Sequence, residues 1–462
     1  MHDPLLAELY AHPDDPAPYL VYGDVLQARG DPRGELIALQ STGRDAAQFL
    51  AAHPELAPPP SPGWPFPTDA PLPADDIEWF CGFVKSMRAT RFFIADVEAL
   101  LAHPSLRLLR ALSISGSGGV DGRVCRLAAT HVARTLESID LHLSGGDVFD
   151  GAYAALAPCT RLRSIHMGGD TEDSATIAAL RSLHAFPQLR SLSVPVTLTD
   201  EACAALVGLP LESLFVPYAA ATETGIAALA TLPLVDIDVD SSIAPALAPL
   251  AYHPTLRRLV LSPAHGPTQL ARAIAAALAT LPVLDTLHLG DSTITDDVIA
   301  ELAPLAPRLR SFSVWNAPLT SAACTVLARM TRLDHLSLPT NAAGLRALAP
   351  LSALECLLAT SMAIDDAAIR ELRPFHNLAR LSLGGPNGIT DACIEHLAAL
   401  PKLRLLNLTR TAITPAGIDR LAQIPTLEAV FVNACDPATI VRAKQIAHWT
   451  VGDSVEGFED ER

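Results

Sequence analysis

The chain has 462 residues, of which 50% are apolar and only 5% aromatic, so a core must be built from leucine, alanine, valine and isoleucine. It carries 33 lysines and arginines against 50 aspartates and glutamates, a formal net charge of −17. Phosphate backbones and anionic membrane surfaces repel a chain this acidic, so the composition argues against nucleic-acid and membrane partners.

The first segment, residues 1–50, predicts two or three short helices. An Asp-Pro pair at 15–16 begins one helix that runs to about Arg29, with Gly30 past its end. A second Asp-Pro pair at 31–32 begins the next helix. Proline favours the first helical turn and glycine the position after the last, so both boundaries have a local cause.

A proline-rich stretch, residues 51–76, separates these helices from the rest of the chain. It has eight prolines between 57 and 73. This composition indicates a semi-rigid linker or an extended strap over the first repeat. Residues 77–106, with the sequences FVKSM and DVEALLAHP, then predict an amino-terminal capping repeat.

A repeated motif fills residues 107–450. Its strand core reads Leu-x-x-Leu-x-Leu, with other apolar residues allowed at the leucine places. Fourteen copies begin at Leu109, Leu136, Leu162, Leu189, Leu211, Leu234, Leu256, Leu284, Leu309, Leu333, Leu354, Leu378, Leu403 and Leu427. The mean spacing of about 24.5 residues lies within the range of leucine-rich repeats.

Each copy has a second half with apolar residues at helical spacing, often preceded by threonine and ended by Leu-Pro. One strand and one helix cannot bury their leucines alone, whereas stacked neighbours share a continuous core. We therefore expect an α/β leucine-rich-repeat solenoid, a horseshoe with a parallel sheet on the concave face and helices on the convex face. A cap helix at about 437–448 should close it, and the acidic tail, 451–462, should be disordered.

The eight cysteines form no CxxC pair and no zinc-finger spacing with histidine. Cys203, Cys324 and Cys393 occupy equivalent places in their repeats and are expected to be small buried hydrophobic residues. No apolar run approaches the roughly 18–20 residues that span a bilayer, and the sequence around Met1 lacks the features of a signal peptide. We expect a cytoplasmic protein.

The repeats resemble those of the ribonuclease-inhibitor-like and plant-pathogen-effector (GALA) leucine-rich-repeat subclasses, whose unit is ITDxGIxxLAxLPxLxxLxL, over roughly residues 84–450. The segment 19–40 resembles the repeat-companion domain that precedes such repeats in some bacteria with GC-rich genomes. Its matching residues are Tyr22, Asp24, Leu26, Arg29, Gly30, Asp31, Pro32, Glu35, Leu36, Leu39 and Gln40. Val25 stands where that family usually has tryptophan. The resemblance implies a bacterial, repeat-bearing protein.

The concave sheet face is the expected partner site, because repeat proteins bind along it. Its side chains alternate with the buried leucines, and in the middle of the array they include aromatic and charged residues, the composition of interface hot spots. The predicted partner-binding residues are Phe215, Tyr218, Asp236, Asp238, Asp240, Arg258, His288, Trp315 and His335.

Two other interpretations of this region stay open. Asp236, Asp238 and Asp240 follow an i, i+2, i+4 spacing and should share one strand face. They could form a solvated acidic face in which Arg258 pairs with a neighbouring aspartate. They could also hold a metal, although a separation of about 6.6 Å along a strand is wide for a compact cage without a partner's oxygens.

No catalytic residue and no cofactor are predicted. The sequence has no phosphate-binding glycine loop, and an open sheet offers no water-excluding pocket to Ser-His neighbours such as His166 and Ser193. We expect a non-catalytic, monomeric protein–protein interaction scaffold with a protein partner that the sequence does not identify. The alternative is an adaptor or effector that delivers a target protein to an enzyme such as a ubiquitin ligase. A purely structural role also stays open.

Overall fold

The structure is a computed structural model that divides into two compact units, Met1–Tyr218 with Thr231–Leu234 and Ala219–Ala230 with Val235–Arg462. It describes residues 4–58, 76–90, 94–115, 122–143, 149–169, 176–262, 275, 277–290, 294–315, 317–359, 364–385, 387–446 and 449. Most of the predicted linker and the whole predicted tail, 451–462, lie outside the described residues.

The first unit opens with helices and continues with strand–helix repeats. Its first elements are α1 Pro4–Ala11, α2 Pro16–Ala28, α3 Arg33–Ser41, α4 Ala47–Ala52 and a 3-10 turn at Pro54–Leu56. Its strands are β1 Ile77–Phe80, β2 Phe83–Thr90, β3 Ala111–Ser115, β4 Ser138–Leu143, β5 Ser164–Gly169, β6 Ser191–Ser193, β7 Thr197–Leu198 and β8 Ser213–Val216. Between them lie α5 Ile94–Leu101, Pro104–Leu106 (3-10), α6 Arg123–His131, α7 Phe149–Ala155, α8 Ile177–Ser182, Leu183–Ala185 (3-10) and α9 Asp200–Leu206.

The sheet of the first unit begins with an antiparallel hairpin. β1 and β2 pair in antiparallel orientation. The parallel part of the sheet then continues from β2 through neighbouring strands in the order β3, β4, β5, β6 and β8. The segment predicted as a capping repeat, 77–106, thus consists of a hairpin, a helix and a 3-10 turn.

The amino-terminal helices pack against this hairpin. α2 begins after Asp15, whose Oδ1 accepts a hydrogen bond from Ala17 N at 2.9 Å, and it is followed by Gly30, whose φ of +73° favours glycine. One apolar cluster joins the helices to the repeats: Leu9, Tyr19, Tyr22, Leu26 and Ile37 with Cys81, Phe83 and Leu108. The helices and the first repeat therefore share one core.

The second unit is built from the remaining repeats. The two residues of β9, Tyr218–Ala219, are divided between the first and the second unit. The sheet strands of the second unit are β10 Asp236–Asp240, β11 Arg258–Ser262, β12 Thr286–Gly290, β13 Ser311–Trp315, β14 His335–Leu338, β15 Cys356–Ala359, β16 Arg380–Ser382, β17 Leu405–Asn407 and β18 Ala429–Phe431. The helices are α10 Glu223–Leu229, α11 Asp296–Glu301, α12 Ser321–Leu327, α13 Ala342–Ala347, α14 Asp366–Ile369, α15 Ile394–Leu397, α16 Pro415–Leu421 and α17 Pro437–Lys444. The 3-10 turns are Ser241–Ala246, Ala248–Leu250, Ala303–Leu305, Arg370–Leu372 and Asp391–Cys393. β10 to β18 are parallel neighbours in chain order.

The predicted leucine positions are confirmed. All fourteen leucines that begin the motif are buried, with at most 2% of the residue exposed. Cys203, Cys324 and Cys393 are free and buried, and burial raises the pKa of the Cys203 and Cys393 thiols to about 12. Each repeat therefore adds its leucines to a core between the sheet and the helices, which is the leucine-rich-repeat solenoid predicted from the sequence.

Hydrogen bonds between successive repeats fix the starts of the helices. The Thr414 hydroxyl accepts from Gly417 N and donates to Asp391 of the preceding repeat, and Thr414 N also donates to Asp391, at 2.9 Å. Thr320 with Asp296 and Thr390 with Asp366 repeat this arrangement. A first-turn aspartate, which the helix dipole favours, thus also holds the cap of the next helix.

The carboxyl-terminal cap is shorter than its predicted span of 437–448. α17 ends at Lys444, and Trp449 lies beyond it with its indole Nε1 donating to Leu427 O at 3.1 Å. Trp449 is buried, so this side chain covers the last repeat.

Candidate partner-binding face

The face of the sheet opposite the leucine core is called the open face here. In β10, Ile237 and Val239 point into the core and are buried, whereas Asp236 and Asp238 alternate with them and are half-buried. This alternation follows from the two-residue period of a strand. The predicted placement of these two aspartates on the open face agrees with the structure.

In the second unit, Asp236 and Asp238 have partners on the neighbouring strand. Arg258 Nη1 donates to Asp236 Oδ1 at 2.8 Å, and Ser262 Oγ donates to Asp238 Oδ1 at 3.0 Å. Burial raises the pKa of the Asp238 carboxyl above its ordinary value, while the Ser262 hydrogen bond and the charge of Arg258 oppose that rise. This contact agrees with the open interpretation in which Arg258 pairs with a neighbouring aspartate.

Asp240 is not presented beside the other two aspartates. It is only 4% exposed, and its Oδ1 accepts from Ser242 N at 2.7 Å at the start of the 3-10 turn Ser241–Ala246. The strand ends at this residue, so its side chain caps the turn. Among the described residues, no group of three or more histidine, cysteine or acidic side chains is arranged to hold a metal ion.

An aromatic pair lies further along the open face of the second unit. The rings of His288 and Trp315 meet edge to face with centroids 6.4 Å apart, and His288 Nε2 lies 3.2 Å from Ser311 Oγ. Both rings are half-buried. His335 is beside Ser311 in register but is only 7% exposed, so little of its side chain is available to a partner.

In the first unit, Phe215 is the prominent residue of the open face. It is 40% exposed, and its ring stacks on that of His166 with centroids 6.4 Å apart and planes 22° apart. Ser193 lies between them in register on β6, and its small side chain allows the two rings to meet across an intervening strand. Tyr218 is half-buried and belongs to the two-residue strand β9.

Asp140 and His166 lie in the same row as Phe215 but are not among the predicted partner-binding residues. His166 Nε2 lies 3.9 Å from Asp140 Oδ1, and Ser113 Oγ donates to Asp140 Oδ2 at 2.9 Å. Ser113, Asp140, His166, Ser193 and Phe215 are successive partners in the parallel register. They occupy the same place in each motif, so the repeat pattern places all five in one row across the sheet.

Within the part of the chain that the structure describes, no helix has both the length and the apolar composition needed to cross a membrane.

Comparison with known proteins gives structural likenesses only. No family model matches the chain, and no curated protein matches it. Among solved structures, internalin (inlF) from Listeria monocytogenes is 18% identical with a TM-score of 0.44, covering 72% of this chain and 94% of that one. The Rad7–Elc1 complex of yeast is 16% identical with a TM-score of 0.43, covering 76% of this chain and 82% of that one. The repeated strands and buried leucines of the two units by themselves make the fold a leucine-rich-repeat solenoid.

Proposed function

We propose that the chain is a non-catalytic scaffold that binds another protein on the open face of its repeats, which the repeat pattern predicts to be concave. Each of the two units would offer its own group of residues to a partner. The amino-terminal patch consists of Asp140, His166 and Phe215, and the carboxyl-terminal patch consists of Asp236, Asp238, Arg258, His288 and Trp315. The observation that carries the proposal is the 40% exposure of Phe215 while its ring stacks on His166.

The amino-terminal patch has the physical character of an interface anchor. A phenylalanine ring is costly to leave in water, and covering its exposed part with an apolar partner group recovers that free energy. The stack on His166 limits the motion of the ring, so binding would cost little additional side-chain entropy. The Asp140 carboxylate beside His166 adds a charge at the rim, where it would orient a partner.

The carboxyl-terminal patch would contribute charge recognition. The Asp236–Arg258 pair is half-exposed, with side-chain exposures of 32% and 39%, and such surface pairs stabilise a fold by about 0–1 kcal/mol. A partner's charged group could therefore replace either member at little cost. Trp315 and His288 would supply apolar contact beside that pair. Asp240 and His335 are too buried to take part and are left out of the proposed contact.

The test is quantitative affinity capture from cytosol of the source cells, with each variant compared to the unaltered chain. Phe215→Ala should reduce recovery of the specific partner about tenfold, since hot-spot truncations cost at least about 1–2 kcal/mol. Val207→Ala is the matched control, because Val207 is also 40% exposed but follows α9 and lies outside both patches. Trp315→Ala tests the second patch in the same way.

Equal recovery of every protein by the unaltered chain, Phe215→Ala and Trp315→Ala would contradict the proposal. Equal loss with Val207→Ala would show that the effect comes from stability and not from the face. Circular dichroism of each variant supplies the independent check that the repeats are folded.

The proposal extends to the amino-terminal helices, which would form a repeat-companion domain. The protein would be cytoplasmic and monomeric. The adaptor alternative would require a second binding surface on them. Leu20 and Val21 of α2 are 45% and 53% exposed, which gives that alternative a specific site. If Val21→Glu removed one set of captured proteins and Phe215→Ala a different set, the chain would be an adaptor that joins two partners.

A further inference from the structure

A half-open pocket of about 450 Å³ lies where the amino-terminal helices meet the first repeat. Its walls come from the end of α2, the start of α3 and the 3-10 turns at Pro54–Leu56 and Pro104–Leu106. Pockets of this size hold small organic molecules. Neither patch of the open face includes any of its residues, so the pocket is a separate feature of the molecule.

One wall of the pocket carries two arginines. Arg33 is 8% exposed, and its Nη2 donates to Ser105 Oγ at 3.1 Å. Its Nε is buried and, in the described structure, has no hydrogen-bond partner. Burial lowers the pKa of Arg33, and the charge of the nearby Asp31 opposes that fall. The charge of Arg107, which is exposed at the same pocket, lowers the pKa of Arg33 by a smaller amount.

Within the described residues, no ion pair joins either Arg33 or Arg107 to an acid, although the charge of Asp31 acts on Arg33. The two acids that line the pocket are otherwise engaged: Asp31 Oδ1 accepts from Arg33 N at 2.9 Å, and Glu55 Oε1 lies 3.1 Å from His53 Nδ1. The Arg33 guanidinium also lies over the Phe83 ring, with its Cζ 5.1 Å from the ring centroid. Its unused Nε–H is still costly unless an acceptor reaches it.

The other walls are apolar. Leu26, Leu56 and Pro104 line the pocket beside the ring of Tyr22. An anion that fills this space would therefore need an apolar body as well as a charged end. The wall holds two arginines and two acids, so it offers no excess of positive charge to a dianion such as phosphate.

We propose that this pocket binds a small carboxylic acid with an apolar body. The carboxylate would accept hydrogen bonds from Arg33 and Arg107, in the fork geometry that guanidinium and carboxylate groups share. The apolar body would lie against Leu26, Leu56 and Pro104. The start of α3 at the same wall places the positive end of a helix dipole towards the carboxylate. Such a ligand would join the amino-terminal helices to the first repeat.

The test is isothermal titration calorimetry of the full chain with three acids of different body, 3-phenylpropionate, 4-methylpentanoate and hexanoate. Inorganic phosphate and the neutral 3-phenylpropionamide are the comparison ligands. At least one acid should bind saturably at millimolar concentration, with its amide and phosphate binding at least about tenfold more weakly. Failure of all three acids to bind, or equal binding of the acid and its amide, would overturn the proposal.

Two variants separate ligand binding from folding. Arg107→Gln should weaken binding of the acid about tenfold, the loss expected for one charge-assisted hydrogen bond, and should leave the melting temperature unchanged because Arg107 is exposed. Arg126→Gln is the control, since Arg126 is an exposed arginine on α6 and not part of the pocket. Equal binding by the wild type and Arg107→Gln would refute the site, as would equal losses in the two variants.

Discussion

Replacing Tyr153 with phenylalanine should stabilise the first unit. Tyr153 lies on α7 with none of its surface exposed, and burial raises the pKa of its hydroxyl far above the ordinary value. In the described structure the Oη atom has no hydrogen-bond partner. The free energy spent on removing this hydroxyl from water is therefore not recovered.

The size of the effect follows from that unpaired group. A buried donor without a partner costs about 1–3 kcal/mol, whereas the phenyl ring of the variant keeps the apolar contacts. We expect Tyr153→Phe to raise the free energy of unfolding by about 1 kcal/mol or more. Tyr19→Phe is the matched control, because Tyr19 is also buried but its hydroxyl donates to Pro13 O at 2.9 Å. Removing the hydroxyl of Tyr19 should lower the free energy of unfolding by about 1 kcal/mol, because its hydrogen bond is lost.

The assay is urea unfolding followed by circular dichroism, with the dependence on urea compared between variants to show that they expose equal surface. Repeat arrays can unfold in segments, so amide hydrogen exchange of α7 should be measured as well and should slow in Tyr153→Phe. A loss of about 1 kcal/mol in both tyrosine variants would refute the reasoning, since it would mean that the Tyr153 hydroxyl makes a favourable hydrogen bond.

Three further predictions concern single side chains. Asp391→Ala should lower the free energy of unfolding in urea by about 1–3 kcal/mol, because it removes both bonds to the next helix cap. Glu395→Ala, at an exposed position of α15, should change it little. A thiol reagent at pH 8 should label about one cysteine per native chain quickly, Cys435, because the other seven are buried; rapid labelling of several would contradict that burial. Folding raises the pKa of Asp238 above its ordinary value of 3.8, so the ionised carboxylate lowers the free energy of unfolding once the pH rises above 3.8. Asp238→Asn should therefore stabilise the chain at pH 7. Urea unfolding at pH 3, where the carboxyl is protonated in both states, should show no such stabilisation.

Much of the fold was predictable because one physical constraint repeats along the chain. A leucine at the start of each motif must be buried for the repeat to stack, so position in the motif alone determines its environment. The helix starts were predictable for the same reason, although Thr295 occupies its cap position without a side-chain hydrogen bond. The exact span of α17 was not predictable, because helix ends depend on local contacts that no repeat specifies.

The binding residues were harder to predict, because alternation along a strand does not fix exposure. Asp240 obeys the i, i+4 spacing, yet the strand ends there and the carboxylate caps the following turn. His335 also lies at a position that alternates with buried leucines, but it is flanked in register by Ser311 and Cys356 and is buried. The burial of a side chain on the open face therefore depends on the side chains of the neighbouring strands and on where its own strand ends.

The contacts that shape the open face run across the strands, between residues that are roughly one or two repeats apart in sequence. Phe215 and His166 meet because Ser193 between them is small, and Asp236 meets Arg258 because their strands are in register. A parallel sheet of repeats brings the same motif position of each copy into one row. The chemistry of a row therefore depends on the order of side chains from repeat to repeat, so a large residue in place of Ser193 would separate the two rings while every leucine of the core stayed in place.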